Sequence, residues 1–286
     1  MLGLVIATPA AHDSQAVSPL LVVKSSEPEW VDRAIVLPAL KVAICTVEKN
    51  GLTEINKLTA VVMNEPHKWF QYSPRSQGLS FEAYQQYLRD SSWRKVVVYR
   101  DPMERFLSAY FSKCLQADTD GREHCHKVFG LSDEQVTIEN VVASLPTMGH
   151  KDPHWALQTS FCGGTFRSQW NDFTDHIPLA SLSRILKVFE GRVDSQAMER
   201  ARSFMQNTTD LPNHPQTNAS GKVRDESVAI REALFDYYRE DYRHFHSNFV
   251  FLLDEVSARR QMDSWEQCLA SDRLRLKQVQ VRNASL

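Results

Sequence analysis

The chain has 286 residues, 42% of them hydrophobic and 24% charged, with a formal net charge of −2. That balance excludes a disordered chain and supplies no bulk field for nucleic acid or an anionic membrane surface. The length suffices for one large domain or two small ones, and any recognition of anions has to be local.

In chain order, Met1 to Ala11 is apolar but lacks a basic flank, and no run reaches the roughly 20 apolar residues of a membrane helix. A tie to a membrane would therefore come only through an anchor not seen in this chain. Residues 1–35 read as an irregular lead, with Ser25-Ser26-Glu27-Pro28 marking a loop. Leu40 to Val47 is β-branched and short, which predicts a buried strand; Ile55, Leu58, Val61 and Val62 then recur at helical spacing over about Thr53–Asn64, with Pro66 just beyond. Residues 65–80 read as an irregular surface segment and Phe81–Leu88 as a helix. Lys95 to Tyr99 is a second strand, followed by a helix from about Met103 to Leu115 that buries Phe106, Leu107, Tyr110 and Phe111. After a polar loop come a helix over Ile138–Leu145, a third strand over Phe173–Ile177, and helices over Ser181–Phe189 and 195–206. Residues 207–223 read as a long loop, Ser227–Phe245 as an amphipathic helix or helix pair, and Asp254–Asp272 as a last helix before a loose tail. This succession implies an α/β domain over 36–250, with a central parallel sheet flanked by helices, followed by a C-terminal stretch over 251–286.

Five cysteines occur, at 45, 114, 125, 162 and 268, in no zinc-like spacing. Cys114 and Cys125 flank the polar segment Leu115 to His124, which a disulfide would close in an oxidising compartment. Sequons at Asn207, Asn218 and Asn283 point the same way, toward the secretory pathway. His124, Cys125 and His126 have no second pair of ligands near them in the sequence, so no metal is assigned.

Two strand-to-helix turns carry the chemistry. In Val47-Glu48-Lys49-Asn50-Gly51-Leu52-Thr53, a helix start offers backbone N–H groups to an oxyanion, Gly51 permits close approach, Lys49 brings a cation and Thr53 a hydroxyl. In Val98 to Tyr110, Arg100 ends the strand, Asp101 is an N-cap, Pro102 suits the first helical position, and Ser108 lies about two turns on. Arg105 is either a second cation or a partner of Glu104 or Asp101. Two turns furnished in this way suit one ligand bearing two anionic groups, such as a nucleotide phosphorylated at both 5′ and 3′ ends.

These stretches, in order and separation, resemble the 5′-phosphosulfate loop and the 3′-phosphate motif of Golgi-type carbohydrate sulfotransferases, the sulfotransferase family 2 of the HNK-1, chondroitin and dermatan enzymes. Lys49, Asn50, Gly51 and Thr53 fall on the first motif; Arg100, Asp101, Pro102, Glu104, Arg105, Ser108 and Ala109 fall on the second. Asp152-Pro153-His154-Trp155-Ala156-Leu157-Gln158 resembles the family's Asp-x-His-Trp-x-x-Gln segment, with Cys162 following. Tyr238 to Phe245 is similar to its Tyr-x-x-Asp-Tyr-x-x-Phe signature. Glu48 replaces the usual proline, Leu52 a small residue, and Ile55-Asn56 the common Trp-Lys. A carboxylate at Glu48 should weaken the 5′ contact unless it points away or pairs with Lys57.

The resemblance implies a P-loop NTPase-like three-layer fold and transfer of a sulfuryl group from 3′-phosphoadenosine-5′-phosphosulfate to a carbohydrate hydroxyl, in the Golgi lumen and without a metal. Lys49, with Asn50, Gly51, Leu52 and Thr53, would hold the 5′ side and stabilise the leaving group. Arg100 and Ser108 would hold the 3′-phosphate, and His154 is the candidate general base, with His150, His176, His214 and Glu48 as competitors. Trp155 is either a core residue or a platform for a sugar ring, and Asp241 between Tyr238 and Tyr242 reads as packing. Two other readings fit the sheet and the anion loop: a nucleotide kinase, though the Gly-Lys-Ser/Thr loop and an acidic magnesium ligand are lacking, and a glycan-binding relative with weakened catalysis.

Overall fold

The computed structural model describes residues 33–115, 119–162, 170–209 and 226–245. The apolar start, the sequons at Asn218 and Asn283, His214, Cys268 and the helix expected at Asp254–Asp272 lie outside the described residues. Four strands form one sheet in the order β1 (Ala34–Leu37), β2 (Val42–Cys45), β3 (Arg94–Tyr99) and β4 (Asp175–Pro178). β2, β3 and β4 run parallel, with Ile44 opposite Val96 and Val97 opposite His176; β1 pairs antiparallel to β2. The expected parallel sheet is there, with an antiparallel edge strand that lay across the end of the expected irregular lead.

Alternate residues of each strand enter opposite layers, as the two-residue strand period requires. Ile35, Leu37, Val42, Ile44, Val96 and Val98 pack with Ile55, Leu58 and Val62 of helix α1 (Leu52–Met63). Ala34, Val36, Ala43, Cys45 and Val97 pack on the other side with Tyr84 and Leu88 of α2 (Phe81–Arg89), and with Trp93 and Phe161. Both faces are covered, so β1, β2 and the Val96–Val98 run of β3 are continuously apolar rather than alternating. The result is a three-layer α/β fold.

A second, helical core stands beside the sheet. It joins α3 (Pro102–Tyr110), α4 (Thr119–Phe129), α5 (Ile138–Met148) and, after the short α6 (Leu186–Phe189) and α7 (Ser195–Thr209), the pair α8 (Val228–Tyr237) and α9 (Arg239–Phe245). Phe106, Leu107, Phe129, Leu145, Trp155, Leu234 and Tyr238 fill it. α3 continues into a π-turn over Phe111–Leu115, which makes up the rest of the helix expected there. α4 corrects the expected polar loop: its start is polar, but a Cys114–Cys125 disulfide ties it to that turn, and Cys125 and Phe129 anchor it in the core. The helix expected from Ser181 is mostly 3₁₀, over Leu179–Ile185. Among the described residues no helix is long and apolar enough to cross a membrane.

Candidate active site

The first turn leaves β2 and enters α1 through two left-handed residues, Lys49 at φ 70° and Gly51 at φ 78°. Gly51 suits its positive φ, and a Cβ there would also stand 2.9 Å from Leu179 Cδ1, the end of a side chain that would have to shift. Leu52 and Thr53 open α1, where backbone N–H groups have no partner within the helix. Asn50 points its side chain into the protein. It is fully buried, its N–H donates to Val47 O (3.1 Å), and its side-chain amide donates to Val98 O (3.2 Å) and Gln158 Oε1 (2.6 Å).

Glu48 turns away from the loop's outer face and meets Arg33 Nε at 2.7 Å rather than Lys57. Burial raises its pKa against the pull of Arg33 and Arg105, and a buried, paired carboxylate is a poor base for an acceptor. Ile55 packs on the sheet, and Asn56 bonds Leu52 O in its own helix. Of the departures from the family pattern, Glu48, Ile55 and Asn56 thus face inward, and the Leu52 side chain is buried at the head of α1.

The second turn follows β3. Asp101 caps α3 by accepting from Glu104 N (2.9 Å), and burial pushes its pKa up to about 7. Arg105 is neither a ligand-facing cation nor a partner of Glu104 or Asp101. It is fully buried and donates to three carbonyls: Glu48 O (2.9 Å), Ala156 O (2.7 Å) and Pro153 O (2.7 Å). Arg100 lies over the first turn, with Nη1 3.3 Å from Lys49 O and Nε 3.4 Å from Glu104 Oε2, and its side chain keeps 14% exposure. Ser108 is half-buried on α3.

Gln158 locks the two turns together. Its Oε1 accepts from Asn50 Nδ2 and from Arg100 N (3.2 Å), and its Nε2 donates to Arg100 O (2.9 Å). The backbone of Gln158 is fixed in turn by Asp241, whose carboxylate accepts from Gln158 N and Thr159 N, each at 2.9 Å. Asp241 is fully buried, so its spacing with Tyr238 and Tyr242 marks a hydrogen-bonded clamp as well as packing. Tyr238 adds a bond from its hydroxyl to Trp155 O (3.0 Å), and Trp155 is itself fully buried, which removes it as a sugar platform. A disulfide between Cys45 and Cys162 fastens the end of β2 to the same segment.

Beside Lys49 lies an imidazole. The Lys49 ammonium bonds Ser112 Oγ on the π-turn. Burial, then the charges of Lys113, Arg100 and Arg105, lower its pKa to about 8. His154 Nδ1 is 2.9 Å from Asp152 Oδ1, which also accepts from His154 N (2.8 Å). On its far side Asp152 Oδ2 meets His124 Nε2 at 2.9 Å, and the two rings stand edge to face, 4.9 Å between centroids. Burial lowers the His154 pKa to about 4; Asp152 opposes this, while Lys113 and Lys49 add to it. Burial would raise Asp152, but His124 and His154 outweigh it and hold its carboxyl well below the usual range. At neutral pH His154 is therefore uncharged. With Nδ1–H directed at Asp152, its Nε2 carries a lone pair able to take a proton. Of the competing bases, His176 is engaged with Trp170 O (2.9 Å) and His150 is exposed on a 3₁₀ turn.

The model of the sulfotransferase family matches residues 32–248. The chain belongs to that family. No curated protein and no solved structure matches it. As a family member it is an enzyme of sulfate transfer, and the matched span takes in both turns, the Gln158 clasp and the Asp152–His154 pair.

Asp152, Gln158, Ser112 and Lys113 shape this candidate site without a role assigned from the sequence, while Arg105, Asp241 and His124 take roles other than those expected: a donor to three carbonyls, a backbone clamp and a partner of Asp152. Asp152 and Gln158 were in view, as the first and last letters of the segment around His154. Ser112 and Lys113 sit on a helix otherwise read for its apolar face, and one π-turn sets their direction. His124 gains through the fold the neighbours that its spacing lacked.

Proposed function

We propose that this sulfotransferase moves a sulfuryl group from 3′-phosphoadenosine-5′-phosphosulfate to a carbohydrate hydroxyl. The observation that carries the reading is the 3.3 Å contact of the Arg100 guanidinium with the Lys49 carbonyl, which puts the two anion-seeking turns side by side. One doubly charged nucleotide can span them, with its 3′-phosphate toward Arg100 and Ser108 and its 5′ side over Lys49, Gly51, Leu52 and Thr53. In the transfer the acceptor oxygen bonds to sulfur as the bond from sulfur to the 5′-phosphate oxygen breaks. Lys49 and the helix-start N–H groups take up the charge growing on the phosphate, and His154 Nε2 takes the acceptor's proton. Two disulfides, Cys45–Cys162 and Cys114–Cys125, support a site of action in an oxidising compartment, for which we propose the Golgi lumen.

The test is transfer of labelled sulfate from the donor to a panel of glycans, with donor-product binding measured in parallel. Arg100→Ala should weaken binding of adenosine 3′,5′-bisphosphate by about 1.5–3 kcal/mol, roughly 10- to 150-fold, the worth of a charge-assisted contact. Unchanged binding in that variant, or stronger thermal stabilisation by ATP with magnesium than by the bisphosphate, would refute the reading.

A further inference from the structure

We propose that His124, Asp152 and His154 form a site for a zinc-class divalent cation, and that its occupancy silences the base of the sulfotransferase. The three side chains come from α4 and from the loop after α5, and their ligand atoms lie within 4.8 Å of one another. Asp152 stands between the rings, with Oδ2 2.9 Å from His124 Nε2 and Oδ1 2.9 Å from His154 Nδ1. His124 Nε2 is shielded from solvent, with Asp152 Oδ2 2.9 Å away. A carboxylate flanked at 2.9 Å by two imidazole nitrogens already gathers the three donor groups that a shared cation would use. Two imidazoles and one carboxylate are the ligand types that zinc takes when a fourth position stays open, with ligand atoms about 3.3 Å apart for bonds of about 2.0–2.1 Å. Two of the observed spacings are 2.9 Å and all lie within 4.8 Å, so side-chain movements bring the three groups to that value.

The consequence for His154 follows from its two nitrogens. A metal takes the lone pair of Nδ1, so the ring proton moves to Nε2. The nitrogen that would accept the acceptor's proton then becomes a donor, and no oxidation or change in ring charge is needed. The same shift on His124 frees Nε2 and puts its proton on Nδ1. The cation would thus act as an inhibitor rather than as a cofactor. The charges of Lys49 and Lys113 act on His154 and oppose a dication, which weakens its hold on the site. The Cys114–Cys125 disulfide holds the turn that carries Lys113 against the helix that carries His124, so the lysine and the third ligand are positioned together.

The inhibitory half rests on the role proposed above for His154; the binding half does not. The test uses the full chain, free of any histidine tag and carrying Cys268→Ser to remove a competing thiol, titrated with Co²⁺ and then with Zn²⁺. The expected result is a visible Co²⁺ band that saturates at one ion per chain and is displaced by Zn²⁺. His124→Ala and Asp152→Asn should each weaken Co²⁺ binding roughly tenfold or more. Sulfate transfer by the unmutated site should slow as Zn²⁺ fills it, whereas His124→Ala, whatever its own rate, should not respond to the same Zn²⁺. Absence of the band in the chain with all three ligands intact overturns the proposal, and so does a band unchanged in both variants. Because the titration reads the protein alone, a wrong acceptor or donor would not alter it.

Discussion

On the proposed placement of the donor, Lys49 makes binding a function of pH in a way that can be calculated. Its pKa of about 8 means that the free enzyme already releases part of its lysine charge at mildly alkaline pH, because burial beside Lys113, Arg100 and Arg105 penalises the ammonium. A bound dianion rewards that same ammonium, so affinity must fall as pH rises through 8. If only the protonated form binds, the apparent dissociation constant scales as one plus the ratio of neutral to charged lysine, about 1.1 at pH 7 and about 11 at pH 9. The expected loss is roughly tenfold, or about 1.4 kcal/mol. The phosphates of adenosine 3′,5′-bisphosphate lose their second protons with a pKa of about 6, so the ligand itself changes little above about pH 7.5. Calorimetric titration from pH 7 to 9.5 should show the fall in the native enzyme and a flat line in Lys49→Arg, whose guanidinium stays charged throughout. A flat line in the native enzyme, or an equal fall in the arginine variant, would refute the assignment of Lys49 to the anion.

Three further outcomes are expected. His154→Ala should lower kcat by roughly 10²–10⁴-fold while leaving bisphosphate affinity within about twofold. In the native enzyme the acid limb of kcat/KM should lie near pH 4–5 rather than 6.5, since a base held neutral down to a pKa of about 4 loses its function only below that; a limb at 6.5 would count against His154. The same depressed pKa adds stability that is complete above pH 6.5 and drains away as pH falls toward 4, which urea melts across that window would read. Asp241→Ala should cost about 2–6 kcal/mol, the sum for two buried N–H groups left without an acceptor, and a change under about 1 kcal/mol in urea unfolding would contradict the clamp. Replacing Cys45 and Cys162 by serine should cost about 4–5 kcal/mol, against about 3 for the Cys114–Cys125 pair, because their bridge spans 117 residues rather than 11; differential scanning calorimetry of the two double variants compares them directly.

The parts of this fold that were legible were those whose physics is local. β2 and β3 are runs of β-branched residues between polar turns, and Asp101-Pro102 and Gly51 announce the starts of α3 and α1 by capping and by backbone geometry. β1 was hidden because four apolar residues run into Pro38 and then into the next apolar run, with no polar alternation on a strand buried on both faces. α4 was hidden because its start is polar and its place is fixed by a disulfide and by Phe129 meeting Trp155 across the core. In the site, Lys49 and Arg100 were visible as charges at strand ends. The acceptors of Arg105 were not, since all three are main-chain carbonyls that any residue provides. Asn50 looked like a ligand contact from its position beside Lys49, and only the arrival of Gln158 from 108 residues away shows it facing inward.

The clamp at Asp241 makes the far end of the domain answerable for chemistry near its beginning. A version of the chain cut short before residue 241 would retain the lysine, arginine and histidine named for the reaction, yet the amide of Gln158 would lose its anchor and the two turns their common strut. Such a fragment would look competent by inspection of its letters and be inert at the bench.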